Sequence, residues 1–373
     1  FKLVQALQTK LDGLPEGQEK WLLDLVALGT VCDVVKLTDE NRANVKWGLE
    51  VLKKTRRPGL KALLAVASID TKNITTRTLG FVLGPRLNAA GRLETAEMAL
   101  ELLKTDDNAR ALKLAQELNQ LNYERRKIQN EIFVKACTQI VETEPVAIVV
   151  GDDWHEGVIG IVAAKILEKF EKPTFVLSKG KDFAKGSGRS FGDFSMAAAI
   201  HHTDTIIEKG GGHSAAGGLV IQSKKIDEWR IVVQKYYDSL DLKNQKEFLA
   251  PKPDITLGNF ADLTPELLDE IKQLEPFGHG NEAPIFAFGP VLILARRTMG
   301  ADKNHVRYTF ADGDGRKFMA VAFDAAEKFT LESLDADGQP QRARILVELM
   351  ANEWNGRVSV EGRLLGLELV GTT

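Results

Sequence analysis

Apolar residues recur at helical spacing through the first hundred positions and settle into alternation after residue 250, so the chain predicts two kinds of architecture. Residues 1–105 read as helices with short connections: Trp21 to Leu28, Asn41 to Lys53, Leu60 to Ala67, Thr76 to Leu83 and Thr95 to Leu103. Between the first two lies VCDVVKL, a β-branched stretch that contains Asp33. Residues 106–143 form one long pattern, with Leu112, Ala115, Leu118, Leu121, Ile128, Ile132, Ala136 and Ile140 on its apolar side and neither Gly nor Pro from Asp106 to Val141. At the helical rise such an element spans roughly 50 Å, enough to connect two domains. Over 144–250 strand-like runs (VAIVV, TFVLS) alternate with helical ones (VIGIVAAKILEKF, MAAAIHH, WRIVVQKYYDSL), the mark of an α/β domain. The charged stretch KNQKEFLAPKP is a linker. After a helix over Pro265 to Leu274, residues 251–373 are short alternating strands with Gly-containing turns, which predicts a small β-barrel. The fold class expected is multidomain, α/β plus all-β.

Composition narrows the picture. At 373 residues, two or three domains are expected. Two cysteines, Cys32 and Cys137, exclude a disulfide scaffold or a cysteine-built zinc site. No apolar run reaches membrane-spanning length and no signal peptide opens the chain, so no membrane association is expected and the cytoplasm is the natural compartment. The chain enters a helical pattern at Phe1 without a cap, and we read it as a fragment lacking its N-terminal portion. The net charge of −3 is unevenly spread: from Asp254 onward there are 12 Lys and Arg against 19 Asp and Glu. Attraction to a polyanion must therefore come from local patches.

Five stretches could carry chemistry. In GTVCDVVKL, Asp33 has apolar neighbours on both sides and should be at least half-buried; such a carboxylate is a helix cap, a partner of Arg42 or a metal ligand. GPRLNAAGRLE offers the guanidinium forks of Arg86 and Arg92 and the amide of Asn88 among small residues, which suits phosphate recognition or, equally, a helix-entry turn. DDWHEGVIG puts His155 where a strand ends and a helix begins near Gly157, a place where main-chain N–H groups favour an anion. KGSGRS supplies Ser187 and Arg189, and is neither a P-loop nor a dinucleotide fingerprint. GGGHSAAGG surrounds His213 with Gly211, Gly212 and other small residues, as if a ligand approached the backbone. Two further runs lead nowhere: the histidines of AIHHTD diverge on a helix, and ADGDGRK lacks the third oxygen ligand of a calcium loop and is read as a hairpin turn.

In this order and combination, ALGTVCDVVKLTDENR, GPRLNAAGRLETAEMALELL, WHEGVIGIVAAKI, SGRS, GGGHSAAGG and LEPFGHGNEAPIF resemble the RecJ family of single-stranded-DNA-specific exonucleases, within the DHH/DHHA1 phosphoesterase superfamily. The resemblance implies the C-terminal part of a DHH domain over 1–105, a connector helix over 106–143, a DHHA1 substrate-binding domain over 144–250 and an OB-fold over 251–373. It also implies 5′→3′ two-metal hydrolysis of single-stranded DNA to nucleoside 5′-monophosphates, in repair and recombination, with Mn²⁺ or Mg²⁺ held by the parent. Asp33 matches the last metal-ligand aspartate. Arg86, Asn88, Arg92, His155, Ser187, Arg189, Gly211, Gly212 and His213 match segments facing the DNA. Arg296, Arg297, Lys303, His305, Arg307 and Tyr308 could form a strand-binding patch on the OB-fold. The Asp-x-Asp and Asp-His-His elements are absent, so this chain alone is expected to hold no metal and to bind DNA without cutting it. A monomer is expected, with a helicase or single-strand-binding protein as possible partners of the parent. The competing readings are a DHH–DHHA1 phosphodiesterase acting on short oligonucleotides or cyclic dinucleotides, and a non-catalytic single-strand scaffold.

Overall fold

A computed structural model describes residues 1–11, 13, 15–242, 245–354 and 356–370. The chain divides into two compact units, Val51–Leu249 and a second made of Phe1–Glu50 with Ala250–Thr373.

The Val51–Leu249 unit begins at the end of α3 (Asp39–Lys53) and continues through α4 (Pro58–Val66), the single turn α5 (Thr76–Thr78), a π-helical turn over Leu79–Leu83, α6 (Gly84–Leu93) and α7 (Glu97–Lys104). All of these lead to α8 (Asn108–Cys137), the long helix that the sequence predicts. The Asp107 carboxylate caps it, accepting from the N–H groups of Ala109 and Arg110. Its buried stripe (Leu114, Leu118, Leu121, Ile132) packs successively against α4, α6, α7 and α9, so the helix is a spine supported along its length.

Beyond α8 lie β1 (Ala147–Asp152), α9 (Glu156–Phe170), β2 (Thr174–Lys179), β3 (Phe183–Arg189), α10 (Met196–His202), β4 (Lys209–Gly212), β5 (Ala216–Gln222) and α11 (Ile226–Ser239). The strands form one sheet in the order β1-β2-β3-β5-β4, parallel between β1 and β2 and antiparallel elsewhere. Alternation along the strands separates two cores. Ile148, Phe175 and Leu177 join α10 and α11 around the fully buried Trp229, whose ring meets Phe175 edge-on at 5.0 Å and whose Nε1–H donates to Thr203 Oγ1. Ala147, Val149 and Val176 face α8 and α9. The expected linker opens at Lys243 and Asn244, outside the described residues; Gln245–Phe248 is a short 3-10 helix.

The other unit contains α1 (Lys2–Gln8), α2 (Leu23–Cys32) and the start of α3, together with β6 (Ile255–Leu257), α12 (Pro265–Lys272), β7 (Ile285–Met299), β8 (His305–Ala311), β9 (Lys317–Ala322), β10 (Arg342–Trp354) and β11 (Arg357–Leu369). The strand order β10-β11-β9-β8-β7 closes through pairing of β10 with β7, giving a five-stranded barrel filled by Phe286, Phe288, Phe310, Phe318 and Tyr308. The β8–β9 connection is the hairpin turn expected of ADGDGRK, anchored by the buried Asp312 carboxylate, which accepts N–H bonds from Phe260, Asp314 and Arg316. The NEWNG turn includes Asn355, which lies outside the described residues. LEPFGHGNE proves to be a clasp: the Leu37 N–H donates to His279 O at 2.6 Å, and Arg42 donates to the carbonyls of Leu274 and Glu275. Arg42 is thus committed to the clasp, and Asp33, expected to be at least half-buried, stands exposed just beyond the last turn of α2. The β-branched stretch VCDVVKL gives Val31 and Cys32 to the end of that helix.

Candidate nucleic-acid-binding site

The sheet of the Val51–Leu249 unit presents a bare floor. Register puts Ser187 of β3, Gly218 of β5 and Gly211 of β4 in one row across three strands. The flanking rows hold Arg189 with Ala216, and Lys185 with Val220 and Lys209. The Ser187 row continues to Val176, which belongs to the α9 side of the sheet. A Cβ at Gly211 would meet nothing within 4 Å, and one at Gly218 would touch only a carbonyl at 3.5 Å, so two strands of this floor are open backbone. The other glycines serve the fold. Side chains at Gly210 and Gly217 would collide with Ile200, and one at Gly212 with the Ala216 carbonyl. Gly212 also holds φ +154°, outside what other residues readily adopt.

Three elements border this floor with cations. Arg189 folds back to donate to Ser187 Oγ (3.2 Å) and Gly188 O (2.7 Å), and both Ser187 and Arg189 crowd Gly160 in the second turn of α9. At the start of that helix the His155 Nδ1 accepts from the Gly157 N–H at 3.2 Å, so His155 caps α9. Arg92, near the end of α6, donates to Gly157 O at 3.0 Å, and Gly157 admits the Arg92 backbone because it has no side chain. On α8, Arg125 is only 8 % exposed. It donates to Gln129 Oε1 and Asn122 Oδ1, and its Nε has no partner. Arg86 donates to Asn119 Oδ1 and Val82 O.

Every acceptor these four arginines engage is neutral. Burial holds the guanidinium of each below its ordinary value; Arg92 adds to this at Arg189 and Arg125, and Arg126 adds at Arg86 and Arg125. Cations this close to one another and desolvated without a carboxylate are poised for an anion, and planar guanidinium forks suit the oxygens of a phosphate.

Most of the expected residues therefore meet at one place. Ser187, Arg189, Gly211, Arg92 and His155 border the floor or the helix terminus beside it, whereas Arg86 lies farther along α6. Asn88 is exposed on α6, which is helical where the sequence also allowed a turn. His213 is exposed at the β4–β5 turn, its N–H donating to Ala216 O. KGSGRS is strand β3 rather than a loop, because its register with β2 and β5 overrides its glycines. Sequence reasoning missed Arg125, although the signal was present: an arginine interrupts the apolar stripe Leu114, Leu118, Leu121, Ile128, Ile132.

The patch expected on the barrel needs correction. Tyr308 is completely buried, its hydroxyl donating to Leu331 O, so it cannot stack on a base. Arg296 is spent on the carbonyls of Phe329 and Ala326 and on Glu332. His305 Nδ1 accepts from the Asp324 N–H, and Arg307 pairs with the buried Glu361 at 3.6 Å. Arg297 and Lys303 remain exposed.

The residues present do not fit a metal centre. Among the described residues no three His, Cys, Asp or Glu side chains converge as ligands, and Asp33 by itself offers one carboxylate.

Comparison with known proteins agrees with this architecture. Family models of the DHHA1 domain and the RecJ OB domain match residues 143–238 and 256–365. The single-stranded-DNA-specific exonuclease RecJ of Bacillus subtilis is 34% identical over 362 residues, covering 96% of this chain and 44% of the relative. That of Escherichia coli is 32% identical over 362 residues, covering 91% and 60%. The crystal structure of RecJ in complex with Mg²⁺ from Thermus thermophilus superposes with a TM-score of 0.82 at 28% identity, over 96% of this chain and 54% of that one. The chain spans about half the length of the curated relatives it matches. Two family domains in sequence, a shared fold and collinear motifs agree: the chain belongs to the RecJ family of exonucleases.

Proposed function

We propose that this chain is the strand-gripping part of a 5′→3′ single-stranded-DNA exonuclease. The floor of Ser187, Gly218 and Gly211 accepts the sugar-phosphate backbone while Arg92 and Arg189, with Arg125 behind them, hold a phosphate. The observation that supports this best is the cluster of desolvated arginines whose acceptors are all neutral, beside the open backbone of Gly211 and Gly218. Gly211 and Gly218 let the backbone approach, and His213 flanks it at the turn. The Thermus relative's structures contain Mg²⁺ or Mn²⁺. In the parent such ions belong with acids beyond Asp33, so this chain binds DNA and does not cut it. The barrel favours a longer single strand over a cyclic dinucleotide as ligand.

Fluorescence anisotropy with 5′-phosphorylated and 5′-hydroxyl single strands at two salt concentrations tests this reading. Binding should be salt-sensitive, and Arg189→Ala should weaken it roughly 10- to 100-fold, as expected for a lost charge-assisted bond. Incubation with Mn²⁺ should release no mononucleotide. Indifference to Arg189→Ala, or preference for a cyclic dinucleotide in competition, would sink the proposal.

A further inference from the structure

Helix α8 carries two exposed flanks of opposite character. One bears Lys113, Glu117, Gln120, Glu124, Lys127 and Glu131, which pair among themselves as a water-facing flank does: Lys113 with Glu117 at 3.9 Å, and Gln120 Nε2 donating to Glu124 at 2.9 Å. The other bears Gln116, Asn119, Tyr123, Arg126 and Asn130 at spacings of three and four, which places them on one stripe. This stripe holds no acid, three side-chain amides and an aromatic ring that is 64% exposed. It is continuous with the anion site. Asn122, adjacent to the stripe, accepts from buried Arg125, and Arg86 of α6 reaches across to Asn119 at 3.0 Å. Arg126 is close enough to Arg86 to lower its proton affinity further.

We propose that this stripe is a base-binding track, on which nucleotides beyond the gripped phosphate lie with one base stacked on Tyr123 and phosphates facing Arg86 and Arg126. The inference rests on the reading of the arginine-lined floor as the phosphate grip. An exposed ring on the same stripe as guanidinium groups is the arrangement that holds single strands without sequence preference, since every base has a face to stack. Amide side chains donate and accept, so Asn119 and Asn130 can meet the edge of any base. The absence of acid along about four turns fits a polyanion and contrasts with the mixed charges on the opposite flank.

The test is anisotropy with 3′-labelled, 5′-phosphorylated oligothymidylates of two and eight nucleotides. Tyr123→Ala should weaken the octamer roughly 5- to 100-fold, the range for loss of one stacked base, and leave the dinucleotide within about twofold. Tyr123→Phe should restore octamer binding. Arg126→Ala should lower the octamer's salt slope by about 0.7, the value for one phosphate on a single strand. An octamer with abasic sites, assayed on the unsubstituted chain, should show the same loss as Tyr123→Ala without any change to the protein. If Tyr123→Ala and the abasic octamer bind normally while Arg189→Ala fails, the track is wrong and the grip stands. Equal loss for dinucleotide and octamer also overturns the track, and failure of the unsubstituted chain to bind either overturns both.

Discussion

At the scale of single residues, glycines that look alike in the sequence separate by what lies above them. Gly211 faces open space, so Gly211→Val should leave the melting temperature nearly unchanged and yet weaken strand binding by covering the floor. Gly188 is packed against Met196 and Phe175, so Gly188→Ala should cost about 1–3 kcal/mol of stability by overpacking. Thermal melting beside anisotropy distinguishes the two, and a destabilised Gly211→Val would contradict the open floor. No composition rule tells these glycines apart, because the difference depends on which face of the pleat each occupies. The motif was legible as a place of close approach, but its division into packing and binding positions was not. Asp33 shows a second limit of the same kind: apolar neighbours in sequence suggested burial, yet the helix ends beside it and leaves the carboxylate exposed.

Among elements, α8 and the barrel strands were readable because their periods are long and regular, 3.6 and 2 respectively. The same alternation could have corrected the barrel patch. In HVRYTF, Val306, Tyr308 and Phe310 point inward, while His305, Arg307 and Thr309 do not. Strand β3 was unreadable because glycine and serine weaken a strand locally, and its pairing partners decide the matter. The β8–β9 turn carries its own test. Burial pushes the Asp312 carboxyl up, but the N–H groups of Phe260, Arg316 and Asp314, with the Arg316 guanidinium, outweigh this and hold it below its ordinary value. A group depressed in the folded state contributes stability that is present above its unfolded pKa, about 4, and is lost as pH falls through the lower folded value. Asp312→Asn should therefore lower the melting temperature at pH 7 and flatten its decline below pH 4; an unchanged acid limb would show that the turn is not held by this charge.

For the whole molecule, charge is local. The chain has a net charge of −3, and its C-terminal third is acidic, yet the arginines of α6, α8 and β3 share one site. Single-strand binding should consequently fall steeply with salt, while substitution of distant surface lysines should change it little. Salt-independent binding would place the ligand elsewhere. The division into an α/β part and a barrel was legible from the change of period, and the arginine cluster was not, because its members lie as far apart in sequence as Arg92 and Arg189.

Strand β4 has one more consequence. It is four residues long, three of them glycine, and it ends the sheet. An unpaired sheet margin normally invites another chain to add itself and so seeds aggregation. A margin this short and poor in side chains gives an incoming strand little to hold, so β4 should contribute little to edge-to-edge aggregation.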